Sequence, residues 1–361
     1  MRVAVLAPVA WRSPPEHYGP WELVASLLAE GLVAQGVDVT LFATLDSLTS
    51  AALDGVVPHG YAQDPALDGR VQEALHIAHA FARSGEFDLV HSPLDWLPLA
   101  FERLCAAPLV TTVHGFGGPA ILPAYRASRS ALVSISDSDR HPDLDYAATV
   151  HHGVDETLLP FSAAGGEDLV VLGRIHHDKG TAEAVRIARA AGRRLVVAGI
   201  VHDDRYFREE VEPSVDGDRV RYLGSVGPQQ RADVLGAAAA LLHPIDFEEP
   251  FGLSVIEAMM CGTPVVAYRR GSMPEVVDEG VTGFVVADAA AAVAAVERAA
   301  GLDRRAVRAR AAARFGAARM VTDYLAVYAK ILAAQGLPGT GTTPSAPGMP
   351  HVTSARVTRR D

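Results

Sequence analysis

Lysine and cysteine are nearly missing from this chain. Of its 361 residues only Lys179 and Lys330 are lysine and only Cys105 and Cys261 are cysteine; the other thirty basic residues are arginine. Two cysteines in apolar surroundings build neither a zinc site nor a disulfide framework. Both read as small buried hydrophobes, and a reducing cytoplasm is the expected setting. No apolar run reaches the ~20 residues that span a bilayer, because Arg, Asp and Glu interrupt the alanine-rich stretches. The opening MRVAVLAPVAW lacks the apolar core and cleavage site of a signal peptide. Positive charge is also short: 32 basic against 43 acidic residues leave a net charge of −11. That balance excludes a general nucleic-acid binder but leaves room for a local basic pocket. No G-x-G-x-x-G follows the first strand and no G-x-S-x-G occurs, which disfavours dinucleotide oxidoreduction and serine hydrolysis.

What is present is a rhythm. Short apolar runs alternate with helical runs, and the length predicts roughly two domains. In the first half RVAVLA (2–7), VDVTLFA (37–43), FDLVHS (87–92), PLVTTVHG (108–115), ALVSIS (131–136) and ATVHHGV (148–154) read as strands. Helices are expected over 20–36, 68–85 and near 95–105. The pattern restarts near Asp168 with DLVVLGR, RLVVAG (194–199), RVRYLG (219–224), ALLHP (240–244) and PVVAY (264–268). Continuous apolar strands alternating with helices predict an α/β fold with parallel sheets covered on both faces. The small polar segment SAAGGED (162–168) reads as a linker, and the composition from 336 to 361 reads as disordered. Two such domains leave a cleft, with ligands expected at strand carboxyl ends beside helix N-termini.

The chemistry-bearing motifs stand at those places. In GRIHHDKG (173–180), Arg174 and Lys179 occupy a loop between a strand and a helix. Two cations at a helix N-terminus suit a diphosphate; a solvated loop with incidental charge is the competing reading. In HPIDFEEPFGLSVIEAMMCGTPVVA (243–267), Glu249 lies in a loop and Glu257 in the helix that starts near Gly252. Glu257 is placed to accept from vicinal hydroxyls such as a ribose, and Glu249 from sugar hydroxyls. For Glu257 alone, complementing the helix dipole is the simpler account. Asp137-Ser138-Asp139 has D-x-D form, but after ALVSIS it reads as caps at a helix start. His176-His177-Asp178 and His202-Asp203-Asp204 lack coherent ligand spacing and read as polar loops.

These blocks, with the GSMPEVVDEGVTGFVV run (271–286), the TVHG loop (112–115) and VHHGVD (150–155), resemble the family 4 retaining glycosyltransferases of GT-B fold. Within the family the chain is similar to the avilamycin-pathway subgroup. The resemblance covers roughly residues 1–335. It implies two doubly wound, Rossmann-like domains: an acceptor domain over 1–160 and a nucleotide-sugar donor domain over 168–315, with a helix over 316–335 crossing back to the first. It further implies that Arg174 and Lys179 hold the donor diphosphate and Glu257 its ribose. Glu249 would bind donor-sugar hydroxyls beside the backbone of Phe251, Gly252 and Leu253, and His114 would contact the sugar near the reacting face. Gly19 would line the loop nearest the phosphate, and the base would lie near Leu223-Gly224. The expected partners are a nucleotide-diphosphate sugar and a hydroxyl acceptor, with no metal and no nucleic acid; peripheral membrane contact and oligomeric state stay open. A nucleotide-sugar epimerase of the same fold and a non-catalytic nucleotide-sugar-binding protein are the alternatives. Three positions depart from the family pattern: Pro20 after Gly19, His152 where asparagine is usual, and Ser272 after Gly271. These bear on the acceptor side more than on donor binding.

Overall fold

The computed structural model describes residues 1–115 and 118–336. Strands β1 (Arg2–Leu6), β2 (Asp38–Phe42), β3 (Ala52–Asp54), β4 (Leu89–Ser92), β5 (Leu109–Val113), β6 (Ala131–Ser134) and β7 (Tyr146–Thr149) form one sheet in the order β3-β2-β1-β4-β5-β6-β7. Strands β8 (Leu169–Leu172), β9 (Leu195–Ala198), β10 (Val220–Tyr222), β11 (Ala240–His243), β12 (Val265–Tyr268) and β13 (Gly283–Val286) form a second, in the order β10-β9-β8-β11-β12-β13. Every pairing in both sheets is parallel. Helices cover both faces, so the central strands are buried through their whole length, as in β5 and β11. Strand order reverses between β1 and β4 in one sheet and between β8 and β11 in the other. Ligand sites of such sheets lie outside the carboxyl ends at these reversals.

The helix Ala317–Ala334 leaves the second domain and packs on the first, against the helix Pro20–Ala34. Gly31 makes that contact close: a Cβ there would stand 2.3 Å from Val321 Cγ2. A buried polar cluster ties the same helix to β4 and β5. His91 bonds Tyr328 Oη (2.5 Å) through Nδ1 and Thr112 Oγ1 (2.7 Å) through Nε2, and Thr112 meets Tyr324 Oη at 2.8 Å. Each member is satisfied, so the cluster fixes one docking position for the helix at no unpaired cost. The linker segment is pinned to the second domain, because Arg304 donates to the carbonyls of Ser162, Gly236 and Ala238.

The structure departs from the sequence reading at several elements. Strand β3 is short, exposed at Ala52 and Leu53, and carries no strong strand signal. The strand expected over 148–154 is Tyr146–Thr149, and the helix expected near 95–105 is a single turn, Leu97–Ala100, followed by a 3-10 turn, Glu102–Leu104. No helix starts at Asp137: the N–H groups of Asp137 and Ser138 donate to the Glu275 carboxylate of the second domain instead. Past Gly336 the tail lies outside the described residues. No helix among the described residues is long and apolar enough to cross a membrane.

Candidate active site

The carboxyl ends of both sheets open onto one cavity of about 640 Å³ between the domains. From the first domain it is lined by the segment after β1 (Ala10, Trp11), by Gly19 to Glu22, and by His114 after β5. The second domain contributes Gly173 and Arg174 after β8, then Lys179, Glu249, Phe251, Gly252, Leu253 and Glu257.

Lys179 and Glu249, seventy positions apart, form an ion pair with Nζ 2.8 Å from Oε2. The Lys179 ammonium also lies 4.3 Å from the centre of the Phe247 ring. Its backbone is held from both sides, for Lys179 ends the turn His177–Lys179 and Gly180 follows at φ +69°. A Cβ at Gly180 would sit 2.0 Å from the Pro244 carbonyl oxygen, so only glycine lets these two loops meet. Burial pushes the Glu249 carboxyl up; the neighbouring His243 imidazole and the Lys179 charge outweigh it and pull it down to about 2. His243 Nε2 stands 3.4 Å from Glu249 Oε2, close enough to act electrostatically but without hydrogen-bond alignment. Glu249 is therefore an anion throughout the working pH range, and Lys179 keeps two of its three N–H donors for a ligand.

Glu257 is also engaged. Its Oε1 accepts from Arg231 Nη1 at 2.9 Å, and Arg231 Nη2 donates to the His17 carbonyl of the first domain at 3.1 Å. Gly252 (φ +91°) opens the helix Leu253–Met260, whose first residues face the cavity. Arg174 forms no ion pair with any described residue, which makes it the uncompensated cation beside the neutralised Lys179–Glu249 pair. His114 sits between the rings of Trp21 and His152. Leu223 and Gly224 do not line the cavity; Ser225 and Val226 do, one to two residues further on. Asp137 and Asp139 are not part of the lining either, and Asp137 Oδ1 accepts from Thr149.

Two distant histidine motifs come together elsewhere. A ring nitrogen of His176, one of His177 and a carboxylate oxygen of Asp203 lie within 4.8 Å of one another. However, Asp178 Oδ1 sits 2.5 Å from His176 Nδ1, Asp203 Oδ1 accepts from the Tyr206 N–H, and the His177 side chain is 69% exposed. The set is too open for a closed tetrahedral site.

Sequence reasoning missed Glu22 and Arg231. Both sit in helices where a charged residue looks like ordinary solvation; only tertiary burial marks them. Glu22 is 3% exposed, lines the cavity and accepts from the Trp11 N–H at 3.1 Å. Burial pushes its carboxyl up to about 7, against the backbone hydrogen bonds that pull it down. A carboxyl raised in the folded state loses stability as pH rises from its unfolded value, 4.5, through about 7. Glu22→Gln is therefore expected to stabilise the protein by less than about 1 kcal/mol at pH 5 and by about 3 kcal/mol at pH 8. Urea unfolding at the two pH values measures this; a gain that does not change with pH would contradict it.

Two parallel-sheet domains with cations, carboxylates and a helix N-terminus converging on the cleft define a glycosyltransferase of GT-B fold. The chain belongs to the glycosyltransferases with a family 4 first domain and a group 1 second domain: residues 22–158 match Glycosyltransferase Family 4 and residues 166–301 match Glycosyl transferases group 1. The glycogen synthase of Mycobacterium tuberculosis (strain CDC 1551 / Oshkosh) is 27% identical over 349 residues, spanning 80% of this chain and 84% of that one. Among solved structures, AviGT4, a glycosyltransferase involved in avilamycin A biosynthesis, is 26% identical with a TM-score of 0.70, covering 92% of this chain and 98% of its own. Anabaena HepE in complex with UDP and glucose shares the fold at 18% identity, with a TM-score of 0.68 over 92% of this chain and all (100%) of that one.

Proposed function

We propose that this glycosyltransferase takes its sugar from a nucleotide-diphosphate sugar, without a metal, and passes it with retained configuration to an acceptor hydroxyl. One observation carries the reading: Arg174, Lys179 and the N-terminus of Leu253–Met260 converge on the cavity that also holds Glu249 and Glu257. Arg174 and the two remaining donors of Lys179 meet the diphosphate, and Glu249 meets hydroxyls of the sugar. The bond from the anomeric carbon to the phosphate oxygen breaks and the bond to the acceptor oxygen forms on the same face. The acceptor proton passes to the departing phosphate oxygen. The protein positions the reactants and stabilises charge on the leaving group, so no paired carboxylates of glycosidase type are needed. The HepE complex with UDP and glucose makes UDP-glucose the first donor to try.

Calorimetric titration with UDP, ADP and GDP, followed by turnover of the matching sugar donors, tests this reading. Binding without hydrolysis or transfer would favour a binding protein, and an altered sugar on the recovered donor would favour an epimerase. With protein cations in the place of a metal, turnover is expected to persist in EDTA. Loss of activity in the chelator, restored by manganese or magnesium, would overturn the metal-free reading.

A further inference from the structure

Four aromatic rings run in series across the domain boundary. Trp21 stacks on His114 with centroids 5.4 Å apart, His114 on His152 at 4.9 Å, and His152 meets Phe251 edge-on at 5.0 Å. The two imidazoles share one hydrogen bond, between His114 Nδ1 and His152 Nε2, at 3.2 Å. Their other nitrogens, His114 Nε2 and His152 Nδ1, are buried and have no hydrogen-bond partner among the described residues, and both residues line the cavity. An unpaired buried polar atom is costly, so two on one wall point to a ligand that supplies what they lack. The rest of His152 is fixed: Arg319 Nη2 donates to the carbonyls of His151 and His152 at 2.7 and 3.0 Å.

Burial holds both rings neutral, drawing His114 down to about 3 and His152 well below its ordinary value. Each neutral ring carries one N–H. The shared bond consumes one N–H and one lone pair. When His114 donates, its Nε2 is left an acceptor and His152 Nδ1 keeps its hydrogen; when His152 donates, the two outer nitrogens exchange roles. In either state the wall offers one donor and one acceptor. A carboxylate or phosphate answers only the donor, and an ammonium only the acceptor. Hydroxyls answer both, because each can donate and accept.

We infer that His152 is a specificity-determining residue: by binding one nitrogen of His114, it makes the pair a reader of sugar hydroxyls that rejects hydrogen or carboxylate at the position read. The inference rests on the donor reading above, with His114 on the wall of the cavity that takes the donor. A site built to bond a hydroxyl discriminates strongly against the analogue that lacks it.

The test is kcat/KM for UDP-, ADP- or GDP-glucose, whichever is turned over, against its 2-, 3-, 4- and 6-deoxy analogues. In the wild type at least one deoxy analogue is expected to fall about thirtyfold or more. In His152→Phe, which keeps a ring but no nitrogen, that ratio is expected to shrink to less than about fivefold, because the parent donor loses and the deoxy donor does not. His152→Asn provides a second variant should phenylalanine disturb folding. In ¹⁵N-labelled protein, the His114 ring nitrogens are expected to shift in either variant, a signature that a purely packing role would not move. No turnover of any donor overturns both the donor reading and the inference. Turnover with equal use of all deoxy analogues, or selectivity unchanged in both variants, overturns the inference alone.

Discussion

Lys179→Ala is expected to reduce kcat about a hundredfold or more, and Lys179→Arg about tenfold or more, which is about 1.4 kcal/mol of transition-state stabilisation for the arginine. The two substitutions ask different questions. Alanine leaves Glu249, a carboxylate 8% exposed, without its cation. Removing one partner of a buried pair costs roughly 3–5 kcal/mol, so the melting temperature of this variant should fall as well. Arginine keeps the charge and can engage both oxygens of Glu249 through its planar fork. If Lys179 serves only to neutralise Glu249, arginine is harmless. If its ammonium must also follow the leaving phosphate oxygen, arginine fails, because the fork is longer, rigid and already spent on the carboxylate. A chain that writes arginine for thirty of thirty-two basic residues yet lysine here fits the second case. The decisive measurement is kcat of Lys179→Arg with the melting temperature as control. Wild-type turnover would refute the role in leaving-group stabilisation and leave the ion pair as a structural one.

Much of the architecture could be read in advance because parallel strands buried on both faces are nearly unbroken apolar runs, and their carboxyl ends are where loops carry chemistry. That rule places Arg174, Lys179, Glu249 and Glu257 near one cleft from the sequence alone. It could not say which of them touch. The Lys179–Glu249 and Arg231–Glu257 pairs join loops and helices 70 and 26 residues apart, and no local pattern encodes such distances. Glu22 stands in a first helical turn, where an acid is ordinary; its raised proton affinity comes from burial in the fold, which no local pattern shows. Leu223 and Gly224 missed the lining narrowly, since β10 stops at Tyr222 and the chain turns before it reaches the cleft at Ser225. Strand β3 has too few β-branched or aromatic residues to announce itself. At Asp137 a good capping sequence found no helix to cap, because a carboxylate of the other domain took its N–H groups.

Glu249 and Glu257 are expected to separate cleanly in kinetics, although both are buried carboxylates paired to a cation. Glu249 shares its cation with the proposed leaving group and faces the sugar whose ring distorts during reaction. Interactions made only in the transition state appear in kcat. Glu249→Ala is therefore expected to lower kcat about a hundredfold with the donor KM within about threefold. It also strands the Lys179 ammonium against the Phe247 ring, where the attraction is worth only about 1–2 kcal/mol. Glu257 belongs to a different assembly, for its partner Arg231 reaches across to the His17 carbonyl of the first domain. Ribose hydroxyls stay bound throughout the reaction, so contacts to them act equally on ground and transition states. Glu257→Ala is accordingly expected to raise the donor KM about tenfold with kcat within about threefold. Glu249→Gln distinguishes charge from shape: the amide keeps the volume but cannot neutralise Lys179, and its kcat should stay close to that of the alanine variant. Steady-state kinetics over a range of donor concentrations measures all three. A KM effect at Glu249 with a kcat effect at Glu257 would exchange the two assignments, and wild-type behaviour at both would remove the carboxylates from donor binding.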